Sequence, residues 1–402
     1  MYDIIIVGAR CAGSPTAMLL SRKGYRVLLV DRASFPSDIM SSHFVHVPGV
    51  AQLKRWGLLD RVVASNCPPV RTLSLDLGPF SLTGYFPPSD GVDTAYGPRR
   101  IVLDKILVDA AVEAGAELRE EFTTEEIIIE DGQVTGIRGR TRNGASVTEK
   151  ARFVIGADGL HSLVARAVGA SKYQEKPTVT CAYYTYWSGV SVSGAELYPR
   201  ENRFIVVFPT NDDLVCNLIE WPKENFPAVR ADIEGQFLQA LELAPGLAER
   251  IRGGRRAERF VGTVDLPNFF RKPYGLGWAL VGDAGYYKDP NMAQGISDSF
   301  RDAEALANAV DNGFSGRQPL EDALAEYEGQ RNRIAMPGFE LNFQFATLQP
   351  PPPEMQALLH ALRNNKAETN RFVGALVGTV PIPEFFAPVN IQRILTQAAG
   401  HD

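Results

Sequence analysis

Residues 4–7 are four consecutive apolar side chains, three of them isoleucine, and the run stops at Gly8. A short β-branched run closed by glycine predicts a strand buried on both faces. Residues 12–23 follow with a helical pattern, in which Pro15 falls in the first turn and Gly24 stands where the helix should end. A second buried strand is predicted over 26–30, running into Asp31 and Arg32. Strand, helix and strand within the first 31 residues make a βαβ unit, and parallel pairing requires a right-handed crossover.

Residues 100–114 form an amphipathic helix pattern, with Ile101, Leu103, Ile106, Leu107 and Ala110 as its apolar stripe and Gly115 at its end. Three short strands, 127–129, 134–138 and 146–149, are separated by Asp131-Gly132 and Asn143-Gly144, pairs that favour tight hairpins, so a β-meander is expected. Residues 151–155 read as a further buried strand. Aromatic and β-branched residues then crowd 178–187 and 203–221, which predicts a separate antiparallel sheet. Its Tyr183, Tyr184, Tyr186 and Trp187 must divide between two faces. Phe204, Val206 and Phe208 share one face, and with Phe339, Phe343 and Phe345 they suggest an apolar substrate chamber. Residues 278–281 return to the buried-strand pattern, 295–310 to a long helix. Beyond the proline run at 350–353, read as a stiff spacer, the remaining segments are helical.

With 402 residues and 45% hydrophobic content, the chain can build a large core in two or three domains. Lys and Arg number 41 against 47 Asp and Glu, a net charge of −6, which argues against a nucleic-acid binder dependent on excess cations. Cys11, Cys67, Cys181 and Cys216 lie far apart, so neither a disulfide scaffold nor a cysteine zinc site is expected and a cytoplasmic setting is. The first apolar run is too short for a signal sequence, and no run reaches the roughly 18–20 residues of a membrane span. The histidines, at 43, 46, 161, 360 and 401, show no metal spacing with carboxylates, and no metal is expected.

The turn out of the first strand reads Gly8-Ala9-Arg10-Cys11-Ala12-Gly13, a G-x-G-x-x-G pattern with Arg10 in the place of the middle glycine. The outer glycines permit the tight turn and close helix–strand packing, and N–H groups at the helix start receive a pyrophosphate. Asp31, at the end of the second strand, stands where a carboxylate accepts both hydroxyl hydrogens of an adenosine ribose. Together these residues point to a dinucleotide site, the alternative being an ordinary turn with a surface aspartate. Cys11, at a helix start, is either a thiol of lowered pKa or packing beneath the turn.

Two further stretches carry a family resemblance. Gly156-Ala157-Asp158-Gly159-Leu160-His161-Ser162-Leu163-Val164-Ala165-Arg166 resembles an Asp-Gly fingerprint, and Gly282-Asp283-Ala284-Gly285-Tyr286-Tyr287-Lys288-Asp289-Pro290 a Gly-Asp fingerprint. With the glycine loop, in that order, they resemble the FAD-dependent oxidoreductases with the para-hydroxybenzoate hydroxylase fold. That group joins aromatic-ring flavin monooxygenases to geranylgeranyl reductase and flavin halogenase relatives. The resemblance covers about residues 1–335. It implies non-covalent FAD, with Asp158 and Gly159 beside it, Gly282 and Asp283 at its ribityl chain, and Arg100 approaching it at a helix start or, alternatively, facing solvent. Pro290 and the Gln294-Gly295-Ile296 helix start would face the flavin N1–C2=O edge, where a helix N-terminus stabilises the anionic reduced ring. Two departures stand out: Tyr286 and Tyr287 occur where many relatives have a histidine, and Ala165 occupies the usual arginine position, with Arg166 one residue later. His43 lies in a stretch that in this family passes near flavin and substrate, which makes it a pocket candidate; the alternative is a polar core residue. No catalytic side chain is otherwise assigned.

The expected architecture is α/β: a Rossmann-like FAD-binding domain of residues 1–72, 98–170 and 258–335, an inserted antiparallel β-sheet substrate domain of 73–97 and 171–257, and a helical C-terminal segment of 336–402. The resemblance implies an NAD(P)H- and O₂-using monooxygenase that hydroxylates or epoxidises an apolar, aromatic or polycyclic small molecule via a C4a-hydroperoxyflavin. Its alternatives are a reductase of isoprenoid double bonds, a halogenase, and a non-enzymatic binder of prenyl or lipid cargo. No second nucleotide module is visible, so nicotinamide would bind transiently or a separate flavin reductase would supply the electrons.

Overall fold

The computed structural model describes residues 1–399. Its central sheet runs in the order Tyr274–Gly275, Trp278–Leu280, Ser146–Gly156, Tyr2–Val7, Val27–Val30, Glu117–Arg119. All of these pair in parallel except the first edge strand. The all-apolar runs read from the sequence are the inner strands, covered on both faces. On one side lie the helices Gly13–Arg22, Arg100–Glu113 and Gly295–Phe314; on the other, Ile5, Val7, Leu28 and Val30 pack on Phe122, Ile127, Val134 and Ile137 of the meander.

One expectation changes here. Residues 146–149 and 151–155 are not two strands but one, Ser146–Gly156. Its first half pairs antiparallel with Gln133–Arg140, and its second half runs parallel to Tyr2–Val7. No glycine or proline interrupts Glu149-Lys150-Ala151, so the chain has no reason to turn and one strand serves two sheets.

The second large sheet is ordered Arg255–Arg256, Thr180–Ser188, Leu214–Pro222, Arg203–Pro209, Ala195–Arg200, Thr72–Asp76, Ser81–Tyr85. The period of two divides its aromatics: Cys181, Tyr183 and Trp187 face a cover of short helices over 226–252, while Tyr184, Tyr186, Phe204, Val206 and Phe208 face the FAD-binding half. The C-terminal residues are not held off by a spacer. The helix Leu320–Ala346 runs unbroken through 335–336, the prolines lie in a short link that leads into the helix Pro353–Leu362, and the helix Lys366–Val377 folds back onto Ser81–Tyr85. Phe372, Val373 and Leu376 thereby join the main core.

The apolar chamber is filled. Phe204 meets Phe345 edge-on, and Phe208 packs on Phe44 and His43. Phe339 lies elsewhere, against Phe270 with Tyr286, and the Phe343 ring carries the Lys176 ammonium, so the six positions do not share one cluster. Spacing placed them on matching faces, but side-chain packing closed the space between them.

Candidate functional site

The C-terminal ends of the parallel strands open into a cleft of about 720 Å³. This is the edge of an open α/β sheet where ligands bind. Gly8, Asp31, Ala157 and Gly282 each follow one of its strands, and all contribute to the wall. Of the residues expected to hold a dinucleotide, Gly8, Arg10, Cys11, Ala12, Asp31, Arg32, Arg100, Asp158, Gly159, Gly282, Asp283, Pro290, Gly295 and Ile296 line it.

Four expected residues stand off the wall. Ala9 is fully buried, and Gly13 sits where a Cβ would lie 1.7 Å from the Gly8 carbonyl oxygen, so its role is packing. Gln294 turns toward the C-terminal helices: its Nε2 donates to the Leu376 carbonyl at 2.9 Å, and its Oε1 accepts from Lys288 at 2.6 Å. His43 is buried with φ of 27°, its Nδ1 3.1 Å from the Gly97 carbonyl and its Nε2 2.9 Å from the Tyr186 hydroxyl. A carbonyl only accepts, so Nδ1 carries the proton and Nε2 accepts from Tyr186. Burial and the nearby Arg99 push its pKa down to about 4, which keeps it neutral. The ring ties the 41–47 segment to the inner sheet face instead of entering the cleft.

The glycine loop explains its own departure from pattern. Gly8 has φ of +103°, and a Cβ there would lie 2.3 Å from the Ala157 carbonyl oxygen, so glycine is required. Arg10, in the middle position, sends its guanidinium out of the turn to Asp104 at 2.5 Å and to the Ser37 hydroxyl at 3.0 Å. Arg100 grips the same carboxylate through Nε at 2.9 Å and Nη2 at 3.0 Å. Two guanidiniums around one carboxylate leave a net positive charge where a diphosphate would lie. Cys11 donates to Asp104 at 3.3 Å, and burial pushes its thiol up, so it is packing and not a reactive thiolate.

Asp31 has two occupations. Its Oδ2 accepts the Ala9 N–H at 2.8 Å and its Oδ1 the Ala33 N–H at 2.9 Å, which stiffens the loop while leaving each oxygen a lone pair for a ribose hydroxyl. Asp158 caps a short helix by accepting from Leu163 at 2.6 Å and Val164 at 3.2 Å. Its Oδ1 is buried and has no partner among the described residues. Asp283 has no hydrogen-bond donor among them either, and burial pushes its carboxyl up to about 6 against the pull of Arg100. The helix Gly295–Phe314 begins without a side-chain cap, so its first N–H groups face the cleft.

Several wall residues escaped the sequence reading. Phe122, Thr123 and Thr124 come from the meander and Ile39 to Ser42 from an irregular segment, and none carries a motif. Asp104 was within reach, since it stands four residues after Arg100 on one helix.

These features fit FAD. Asp158 Oδ1 and Thr124 Oγ1 are orphaned polar atoms in the wall, a Cβ at Gly159 or Gly295 would meet nothing within 4 Å, and Asp283 lines the same wall without a donor among the described residues. Fold and cleft together define a dinucleotide-binding flavoprotein of the α/β class. Residues 1–231 match the family described as FAD binding domain, and the chain belongs to that family.

Its relatives span several activities. The chain is 25% identical over 351 residues to a digeranylgeranylglycerophospholipid reductase of Methanocella arvoryzae, covering 85% of this chain and 86% of that protein. It is 24% identical to a tetracycline 7-halogenase of Kitasatospora aureofaciens, covering 76% of this chain and 62% of that one. Among solved structures, a flavin-dependent brominase superposes with a TM-score of 0.84 at 18% identity over 100% of both chains. A probable FAD-dependent monooxygenase from Pseudomonas aeruginosa gives 0.71 at 20% identity, covering 93% of this chain and 98% of that one. The protein is therefore an FAD-dependent oxidoreductase with the para-hydroxybenzoate hydroxylase fold. Among the described residues, no helix is long and apolar enough to cross a membrane.

Proposed function

We propose that the protein reduces a carbon–carbon double bond of an apolar, isoprenoid-like small molecule, with NAD(P)H as the electron source. The observation that carries this reading is the likeness to the archaeal reductase, which runs through 85% of the chain. FAD bound in the cleft supplies two-electron chemistry. The chain's own residues bind and orient it: Asp31 the ribose, Arg10 and Arg100 the diphosphate, and Asp283 the ribityl chain. The uncapped start of Gly295–Phe314 stabilises negative charge on the reduced ring. Four free, buried cysteines agree with a cytoplasmic setting.

Oxygenation of an aromatic or polycyclic molecule is the second reading, favoured by the filled apolar packing beside the cleft, which excludes water. One experiment separates the two. FAD-loaded protein is reduced and given its substrate with and without ¹⁸O₂. The first reading requires a product heavier by two hydrogens and indifferent to oxygen; a product carrying one ¹⁸O atom would replace it with the second.

A further inference from the structure

Glu220 is the one carboxylate that the strands Thr180–Ser188, Arg203–Pro209 and Leu214–Pro222 place on their inner side, where its register partners are Ala182 and Phe204. It is 0% exposed, and neither carboxylate oxygen meets an N–H or O–H donor among the described residues. What it does meet is the buried carboxyl of Asp289, which is held against the same pair of strands by Thr180, two residues from Glu220's register partner Ala182. Asp289 lies near the end of the Gly-Asp stretch and is held in place on all sides. Its carboxyl accepts from the Thr180 hydroxyl and from the Asn291 N–H at 3.1 Å, its own N–H donates to Asn268 at 2.8 Å, and its carbonyl accepts from Asn342 at 2.9 Å.

No cation compensates the pair: among the described residues neither carboxylate has a salt bridge, and the other titratable groups beside Glu220 are Cys181 and Tyr287. Two buried carboxylates in contact cannot both be ionised. Burial, with Asp289 adding to it, pushes Glu220 well above the usual carboxylate range, and burial raises Asp289 less, because Thr180 and Glu220 donate to it. A proton on Glu220, donated to Asp289, is the arrangement that gives each group a partner. Asp289 also lines the cleft, whereas Glu220 lies behind it.

We propose that Glu220 and Asp289 share a single proton across the seam between the sheet and the flavin loop, and that this proton is open to the cleft as the acid of the reduction. This rests on the reductase reading. In that reaction the π bond would break and two C–H bonds form: a hydride, whose electrons NAD(P)H would supply, joins one carbon, and the proton joins the other. The pair is then reprotonated from solvent. Asp289 is the cleft-facing donor, and Glu220 is the positioning residue that keeps it supplied.

Infrared spectroscopy tests this on the whole chain without FAD or substrate. The wild type should show a carbonyl band of a buried protonated carboxyl at pH 8, which Glu220→Gln and Asp289→Asn each abolish. Both variants preserve size and a hydrogen bond, and FAD titration together with circular dichroism would confirm that they fold. On mixing with D₂O the band should shift at once, while amides of the central sheet remain protonated. A wild type with no such band, or a band surviving in both variants, overturns the shared proton. A band that shifts only as slowly as the central amides shows a sealed structural lock and overturns the role as acid. A promptly shifting band alongside an ¹⁸O-labelled product would retain the proton-sharing pair and remove the reductase reading, so the two failures are distinguishable.

Discussion

Asp283→Asn should make the FAD-free protein more stable at pH 8 and no more stable at pH 4. In the cleft the carboxyl is pushed from 3.8 up to about 6, chiefly by burial, with Arg100 pulling it back and Asp298 adding to the rise. The unfolded chain releases this proton near the lower value, so between the two the folded form holds more proton than the unfolded. Stability is then fully present below the lower value and declines as pH rises through the upper one, by about 1.4 kcal/mol per pH unit. A window of roughly two pH units gives about 3 kcal/mol, which solvent at the cleft reduces to about 2. Asparagine has the same shape and no charge to bury, so it recovers that amount above pH 6. At roughly 2.1 cal/mol/K per residue, a chain of this length has an unfolding entropy near 0.8 kcal/mol/K, and the gain appears as about 2–3 °C in Tm. Calorimetry of stripped wild type and variant from pH 4 to 8 measures it. FAD titration at pH 8 should show the opposite cost, an affinity about 10-fold lower, because the ribityl hydroxyls lose a charged acceptor. A variant no more stable at pH 8, or equally stabilised at pH 4, would refute the claim that unpartnered burial sets the state of this carboxyl.

The two histidines buried near the cleft set the acid limit. Burial holds both His43 and His46 down to about 4, so stability falls as pH drops from about 6.5 through that value; His46→Gln, which can still donate to the Met292 carbonyl, should flatten urea midpoints over that range. Gly295→Ala should leave the Tm of the FAD-free chain unchanged and weaken FAD binding, because its Cβ enters open space in the cleft, whereas Gly8→Ala should lower the Tm through its positive φ and the Ala157 clash. Equal effects of both in thermal melts would contradict the placement of Gly295 beside the ligand. Asp31→Ala should reduce FAD affinity about 10- to 100-fold in fluorescence titrations and also loosen the loop, since Ala9 and Ala33 lose their acceptor. An unaltered affinity would move the ribose contact to another residue.

The chain's local pattern was enough to find the parts that depend on neighbours in sequence. The βαβ unit at residues 2–30 follows from apolar runs of the right length, and Gly8 from a turn that only glycine can make. Asp31, Asp158 and Asp283 were legible for the same reason: each directly follows, or nearly follows, a buried strand, and a parallel sheet presents its strand ends along one edge. Other features depend on how distant segments dock, and periodicity is silent about docking. Nothing around residues 146–156 announces that one strand will join two sheets. The alternation in 204–208 showed which phenylalanines share a face but not that Phe345 would fill the space opposite Phe204. His43 looked the same in sequence whether it entered the cleft or the core; the Gly97 carbonyl and the Tyr186 hydroxyl, brought from two other segments, drew it inward. The contact between Glu220 and Asp289 exists only because the second sheet seats on the flavin loop, and that burial, absent from either segment alone, makes the two carboxyls share a proton.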